Sequence, residues 1–256
     1  MILQHVAPVV SNTLIAEGIF LLTVEAKDIA RSVRPGQFVN VRSTDGSLPF
    51  LRRPFSVSNT RGDLIDLMFN VVGQGTRMMA SRRIGDTLDV LGPLGKPFGF
   101  AGNFKTAIMV GGGLGVAPFP ILTRQLEEEK KSLLTLLGAR SAKHIVAKDL
   151  QNTQIATDDG SAGFHGTVVA LLESSLQSKA LADPKIFGCG PTPMLKALSE
   201  FAQRSGIECE LSLEGDMACG VGLCQGCPVE TSHGSRKYAL VCVEGPTFNC
   251  HDIILR

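Results

Sequence analysis

The 256-residue chain lacks any strong imbalance of charge: 25 lysines and arginines stand against 24 aspartates and glutamates, for a formal net charge of +1. Its basic residues are scattered, with no run longer than two. A protein that binds by neutralising phosphates needs a basic face, so no nucleic-acid partner is expected. The chain also lacks a long apolar run. None approaches the roughly 18–20 residues that a membrane-crossing helix requires, so no membrane association is expected. The opening residues, MILQHVAPVV, have neither the basic start nor the continuous apolar core of a secretory leader, and the expected location is the cytoplasm. No low-complexity block interrupts the sequence. With 44% apolar and 19% charged residues it reads as globular, able to bury a sizeable core in one large unit or two of ordinary size.

Cysteine is what stands out among the residues present. Seven cysteines without a leader point away from a disulfide framework and towards metal or redox use. Four of them, Cys219, Cys224, Cys227 and Cys242, follow C-x4-C-x2-C…C, the plant-type [2Fe–2S] spacing. Three thiolates come from one Gly-rich loop and the fourth is expected from a later strand. Gly220, Gly222 and Gly226 let the loop wrap closely and leave backbone N–H groups free to face sulfur. Zinc is the competing occupant, but structural zinc sites usually present two close pairs, and only Cys224 and Cys227 form one here. Cys189, Cys209 and Cys250 fall outside the motif and read as buried small apolar side chains.

From Ile2 to about Leu91 short alternating apolar runs are separated by turns. Ile19–Val24, Gln37–Val41, Leu64–Phe69 and Thr87–Leu91 are the clearest, with turn chemistry at Pro35-Gly36, Arg61-Gly62-Asp63 and Ile84-Gly85-Asp86. This pattern predicts an antiparallel barrel or sandwich, with one short helix over 76–82. Two segments carry more than strand chemistry. Arg52–Ser58 offers a cation for a phosphate, with Ser56 and Ser58 expected to point the same way. Val72-Gly-Gln-Gly-Thr76 is a turn into a helix, suited to a pyrophosphate. Taken alone, each is an ordinary strand edge or turn; together they suggest a flavin-type site. Leu91–Gly99, dense in glycine and proline, is the expected junction.

Beyond Phe104 strands and helices alternate, which predicts an α/β, doubly wound, dinucleotide-binding architecture. Thr106–Val110 reads as a buried parallel strand. It enters Gly111-Gly-Gly-Leu-Gly-Val-Ala-Pro118, with a helix to about Lys130 after it. Leu133–Leu137 is the next strand, Gly166–Leu176 and Met194–Arg204 read as helices, and Glu208–Leu213 is expected to close the sheet. GGGLGVAP is not the full dinucleotide fingerprint and also reads as a packing turn. Binding is favoured because a second loop, Gly188-Cys-Gly-Pro191, follows a later strand of the same sheet. Arg140, rather than an acid, ends the second strand. His144 and His165 read as surface or loop residues, and no nucleophile–base constellation is visible. A nicotinamide moves two electrons and a [2Fe–2S] cluster one, so a flavin is needed to join them.

With these residues assembled, the chain resembles the ferredoxin–NADP reductase superfamily along nearly its whole length. The resemblance implies a flavin-binding β-barrel over 1–100, a pyridine-nucleotide α/β domain over 101–215 and a [2Fe–2S] domain over 216–256. Arg53-Pro54-Phe55-Ser56 is similar to the R-x-[YF]-S strand, whose Arg contacts the FAD pyrophosphate and whose Ser faces the flavin. Met68, Phe69 and Asn70 match the strand against the flavin, and Gly75 and Thr76 its second phosphate turn. Gly112, Gly113, Gly115 and Pro118, with Gly188, Cys189, Gly190 and Pro191, match the two nucleotide loops. More narrowly, Gly215–Cys227 and Val241–Phe248 resemble the electron-transfer subunits of B-type, NAD-dependent dihydroorotate dehydrogenases, with the spacing before Met217 shortened. That family implies FAD, a [2Fe–2S] cluster on Cys219, Cys224, Cys227 and Cys242, and NAD. It also implies an FMN-containing catalytic partner subunit in a heterotetramer of two plus two, in pyrimidine biosynthesis. Substrate oxidation would lie on the partner, leaving no catalytic acid or base here. Similar layouts occur in diaphorase subunits of transhydrogenases, sulfide dehydrogenases, hydrogenases and sulfite reductases. A zinc-stabilised binding protein is the non-enzymatic alternative.

Overall fold

The computed structural model describes residues 1–44, 46–178, 181–234 and 236–256. The first part of the chain forms strands β1 (Leu3–Ala16), β2 (Ile19–Glu25), β3 (Phe38–Arg42), β4 (Arg53–Arg61), β5 (Leu64–Asn70) and β6 (Thr87–Leu94). They close into an antiparallel barrel in the order β1-β2-β5-β4-β3-β6. Period-2 alternation drives closure: Val39, Val41, Val57, Ile65, Leu67, Leu88 and Val90 all point inward and are buried together. Two short helices, α1 (Lys27–Ser32) and α2 (Gln74–Ala80), sit at its ends. α2 starts two residues earlier than predicted because the Thr76 hydroxyl accepts from the N–H groups of Val72 at 3.0 Å and Gly73 at 3.1 Å, fixing the turn ahead of it.

The chain then builds β7 (Thr106–Gly112), α3 (Phe119–Glu128), β8 (Ser132–Ala139), β9 (Thr153–Thr157), β10 (Phe164–His165), α4 (Val168–Ser178), β11 (Pro184–Cys189), α5 (Thr192–Ser205) and β12 (Glu208–Ser212). The C-terminal segment adds β13 (Pro228–Thr231), β14 (Tyr238–Leu240), β15 (Thr247–Asn249) and β16 (Ile253–Ile254). The large sheet runs β10-β9-β8-β7-β11-β12-β15. α3 packs on one face, through Phe119, Leu122 and Leu126, and α4 and α5 on the other, through Leu172, Leu195 and Leu198. Chain order reverses between β7 and β11, and a crevice opens at such a switch point outside the carboxyl ends of the strands. The predicted barrel and doubly wound sheet are thus both present.

Three expectations are corrected. Glu208–Leu213 does not close the sheet: β15 pairs antiparallel outside β12, matching Ser212 with Thr247. A three-residue strand has no pattern of its own and is placed only by tertiary pairing. Cys242 lies in the turn after β14, not on a strand. Ser58 does not share the outlook of Ser56. β4 pairs with β3 up to Ser56 and then with β5, with a register shift between Val57 and Asn59, and Ser58 is buried.

Barrel and sheet are tied directly to each other. Arg124 of α3 donates to the Thr60 hydroxyl at 2.7 Å and to Asn59 Oδ1 at 3.0 Å on β4. The junction after β6 is pinned by Lys185, whose buried ammonium donates to the Gly99 carbonyl at 2.9 Å and to Glu210 Oε1 at 2.7 Å. Phe98 packs edge-on against Phe187, ring centroids 5.5 Å apart. Among the described residues no helix is long and apolar enough to cross a membrane.

Candidate functional site

Two cavities open at the switch point. The first, about 580 Å³, lies between barrel and sheet. Pro54, Phe55 and Ser56 of β4, Met68, Phe69 and Asn70 of β5, and Thr76 of α2 form its barrel side. The turn after β7 supplies Gly112, Gly113, Gly115 and Pro118, and the loop after β11 supplies Cys189, Gly190 and Pro191. Its far end is closed by Glu214, Gly215 and Met217, which lead into the cysteine loop. Size and lining fit a flavin ring system.

Arg53 and Gly75 stand just outside this wall, side by side: a Cβ on Gly75 would meet Arg53 Nε at 2.9 Å and Ser43 Oγ at 3.2 Å. The Ser43 hydroxyl is buried with no hydrogen-bond partner among the described residues. A cation, a helix start and an orphan hydroxyl together suit a diphosphate. Arg52, by contrast, is occupied, donating to Asp89 Oδ1 at 2.9 Å. Gly188 lines neither cavity. It sits under α5, where an added Cβ would come within 2.6 Å of Leu198 and 2.7 Å of Leu211, so its role is packing.

The second cavity, about 680 Å³, takes in Gly18 and Ile19 of the barrel, Arg140 and Asp158 at the ends of β8 and β9, and Thr167 and Val168 at the start of α4. It shares Asn70, Val72, Gly112, Gly113, Leu114 and Pro191 with the first, so the two spaces meet along one ridge. A nucleotide in one would place its end against the occupant of the other.

In the cysteine loop, the N–H groups of Val221 and Cys224 both donate to Cys219 Sγ at 3.4 Å, and Cys242 N–H donates to Cys227 Sγ at 3.4 Å. Burial pushes the Cys219 thiol up, but these backbone donors outweigh it and bring it down to about 6. Cys242 goes the other way, pushed up to about 12 by burial and by the adjacent Cys227 thiol. The thiols associate in pairs, Cys219 with Cys224 and Cys227 with Cys242. Among the described residues no three His, Cys, Asp or Glu side chains converge on a single ion position. A [2Fe–2S] rhomb draws its thiolates two per iron, whereas a structural zinc ion gathers four donors round one point, so the paired set fits the rhomb.

Of the remaining cysteines, Cys209 and Cys250 are fully buried and adjacent, Cys250 N–H donating to the Cys209 carbonyl at 2.9 Å. Cys189 is buried too, its thiol pushed up to about 12 by burial and then by Glu214, which suits a wall residue rather than a nucleophile.

Glu214 was missed in the sequence, where nothing marks it. Its carboxyl opens onto the flavin-type cavity on one side and onto protein on the others, and lost hydration raises its pKa above the ordinary 4.5. A carboxyl raised in the folded state binds protons there that the unfolded chain has released, so stability falls as pH rises from about 4.5 through the raised value. Glu214→Gln is expected to flatten that segment of a plot of urea midpoint against pH. The effect is small because the side chain remains partly open. Equal slopes in the two proteins would refute it.

Barrel, switch-point crevice and cysteine loop together define a flavin-reductase-type electron-transfer protein with an iron–sulfur segment at its C-terminal end. Residues 214–254 match the family described as the iron–sulfur cluster binding domain of dihydroorotate dehydrogenase B. Over 253 residues the chain is 35% identical to the dihydroorotate dehydrogenase B (NAD(+)), electron transfer subunit, of Bacillus velezensis, covering 96% of each. The chain belongs to this family of electron transfer subunits. A solved chain of an NADH-dependent reduced ferredoxin-NADP oxidoreductase, described in terms of flavin-based electron bifurcation, superposes with a TM-score of 0.87 at 29% identity, covering 98% of this chain and 90% of that one. A ferredoxin NADP+ reductase from Neisseria gonorrhoeae with bound FAD and NADP shares the fold, with a TM-score of 0.68 at 15% identity over 85% of this chain and 95% of that one.

Proposed function

We propose that this chain is the electron-transfer subunit of a cytoplasmic, NAD-dependent dihydroorotate dehydrogenase of pyrimidine biosynthesis. In this reading it holds FAD, a [2Fe–2S] cluster and NAD, and works with an FMN-containing catalytic subunit in a heterotetramer of two plus two. Residues 1–100 carry the flavin, 101–215 the nucleotide and 216–256 the cluster. The observation that carries the reading is the serial arrangement: the second cavity abuts the first along the Gly112–Leu114 ridge, and the first ends at Met217, two residues before Cys219.

The chemistry a bound flavin supplies is conversion between one- and two-electron transfer, which is what joins a cluster to a nicotinamide. The protein's own part is placement. Pro54, Phe55, Ser56, Met68, Phe69 and Asn70 hold the ring, and Arg53 with Gly75 and Thr76 neutralise and cradle the diphosphate. Gly112, Gly113, Gly115, Pro118, Gly190 and Pro191 admit the nicotinamide end along the ridge and keep water from the contact. Cys219 and Cys224 ligate one iron, and Cys227 and Cys242 the other. No acid or base for substrate oxidation is assigned to this chain. Free thiols in this number suit a reducing compartment.

A second reading keeps these cofactors but makes the chain a diaphorase subunit of another redox complex, favoured by the overlay on the NADH-dependent ferredoxin-NADP oxidoreductase chain. Co-expression separates them. Recovery with an FMN-containing, dihydroorotate-oxidising subunit, and dihydroorotate-dependent formation of NADH by the pair, is the expected result. Recovery with a glutamate-synthase-like or hydrogenase subunit would favour the second. A colourless preparation containing zinc would end both.

A further inference from the structure

On β3, Val39 and Val41 fill the barrel, while Phe38 and Asn40 face outward beneath the C-terminal segment. Phe38 lines the flavin-type cavity, and Asn40 lies directly across the ladder from Pro54 of the same wall. Asn40 is 0% exposed. Its Nδ2 donates to the Cys219 carbonyl at 3.0 Å, across 179 residues of sequence, while its Oδ1 has no hydrogen-bond partner among the described residues. Packing alone gives no reason for an amide here. Strands disfavour Asn, and a buried polar atom left unmet costs about 1–3 kcal/mol. The donor is therefore what the position needs.

The cysteine loop is shaped to the same amide. Gly220 turns with φ +71°, and a Cβ there would press into the Asn40 side chain, 3.0 Å from its Cγ and closer still to Nδ2. The peptide held in this way is the one that follows Cys219, and beyond it the Val221 and Cys224 N–H groups aim at Cys219 Sγ. Hydrogen bonds and charge around ligating sulfur set a cluster's reduction potential.

We propose that Asn40 is a positioning residue that locks the Cys219 peptide against the flavin strand and thereby sets both the redox poise of the cluster and its coupling to the flavin. The inference rests on the functional reading above. A carboxylate of the same shape would face the Cys219 carbonyl without a proton and add a negative charge beside the ligand. Leucine would remove the donor without adding charge.

The test is an anaerobic redox titration of the purified, flavin- and cluster-loaded chain, followed by electron paramagnetic resonance. Asn40→Asp is expected to lower the ratio of reduced to oxidised cluster at a fixed potential about tenfold, ~59 mV for one electron, with the flavin midpoint unchanged. Asn40→Leu is expected to shift it less, in the same direction, and to slow flavin–cluster exchange about tenfold. Gly220→Ala, which displaces the amide from the loop side, should shift it likewise and decides the matter if a β3 variant fails to fold. Variants that lose iron while their surviving clusters keep the wild-type midpoint and exchange rate would show a merely structural role and overturn the inference. A wild-type chain with no one-electron signal would overturn the functional reading, and this inference with it.

Discussion

Gly115→Ala is expected to cost the chain about 3 kcal/mol of stability or more, and to weaken nucleotide binding by at least about tenfold. Gly115 lies in the turn between β7 and α3, pressed against the backbone of the loop after β11. A Cβ there would overlap the Cys189 carbonyl and come within 2.6 Å of Gly190 Cα. Every atom it meets is main chain, so no rotamer change relieves the clash. The turn after β7 and the loop after β11 must separate, and they form the ridge along which both cavities meet. Gly113, two residues earlier, is the control. It has φ +55° and nothing within 4 Å, so alanine there carries only backbone strain, of about 1 kcal/mol. Chemical denaturation and NADH titration of the two variants check the contrast. Equal effects at both positions would mean that the close approach of the two loops does not govern the site.

Cys224→Ser is expected to abolish one-electron output while sparing the flavin. Outer residues around a metal site are typically worth 10–100-fold, so loss of a ligand should cut NADH-driven reduction of a one-electron acceptor by about 100-fold or more. Serine offers a hard, protonated oxygen where iron and sulfide need a thiolate. Cys224 is the exposed member of the four, and its side chain takes no part in either cavity. NADH-dependent reduction of a two-electron dye at the flavin should therefore change less than about threefold. Steady-state assays with the two acceptors measure both numbers. Parallel loss would mean that the loop also holds the flavin cavity together, which the Asn40–Cys219 hydrogen bond makes a fair contest.

Much of this layout is legible in the residues. Thr106–Val110 is apolar throughout because β7 is buried on both faces, and the observed strand only extends it to Gly112. The alternation of Leu64–Phe69 matches β5 because one of its faces fills the barrel. Other features resist a linear reading for physical reasons. β1 spans fourteen residues, pairs with both β2 and β6, and shifts register twice against β2, so no single alternation runs through it. α1 is six residues long with no side-chain cap.

The site divides in the same way. The cysteine spacing and the glycine turns are local and carry their chemistry in sequence. Arg53 could be singled out, but its separation from Arg52, which Asp89 engages, depends on a strand 37 residues distant. Asn40 did leave a trace, a lone amide in the apolar run Phe38-Val39-Asn40-Val41, and strand propensity marks it as out of place. Its partner lies in the cysteine loop, so the reason for it appears only in the fold. Glu214 and the ridge shared by the two cavities have no local signature at all, because they arise from loops that converge at the switch point.

The most direct test of the account is an anaerobic titration of the purified chain with NADH, followed by visible absorption and low-temperature electron paramagnetic resonance. The account requires about two irons per chain. It also requires that NADH bleach the flavin and bring up the one-electron signal of a reduced [2Fe–2S] centre in the same molecules. Flavin that reduces while the iron signal never develops, or a chain whose metal is zinc, would contradict it.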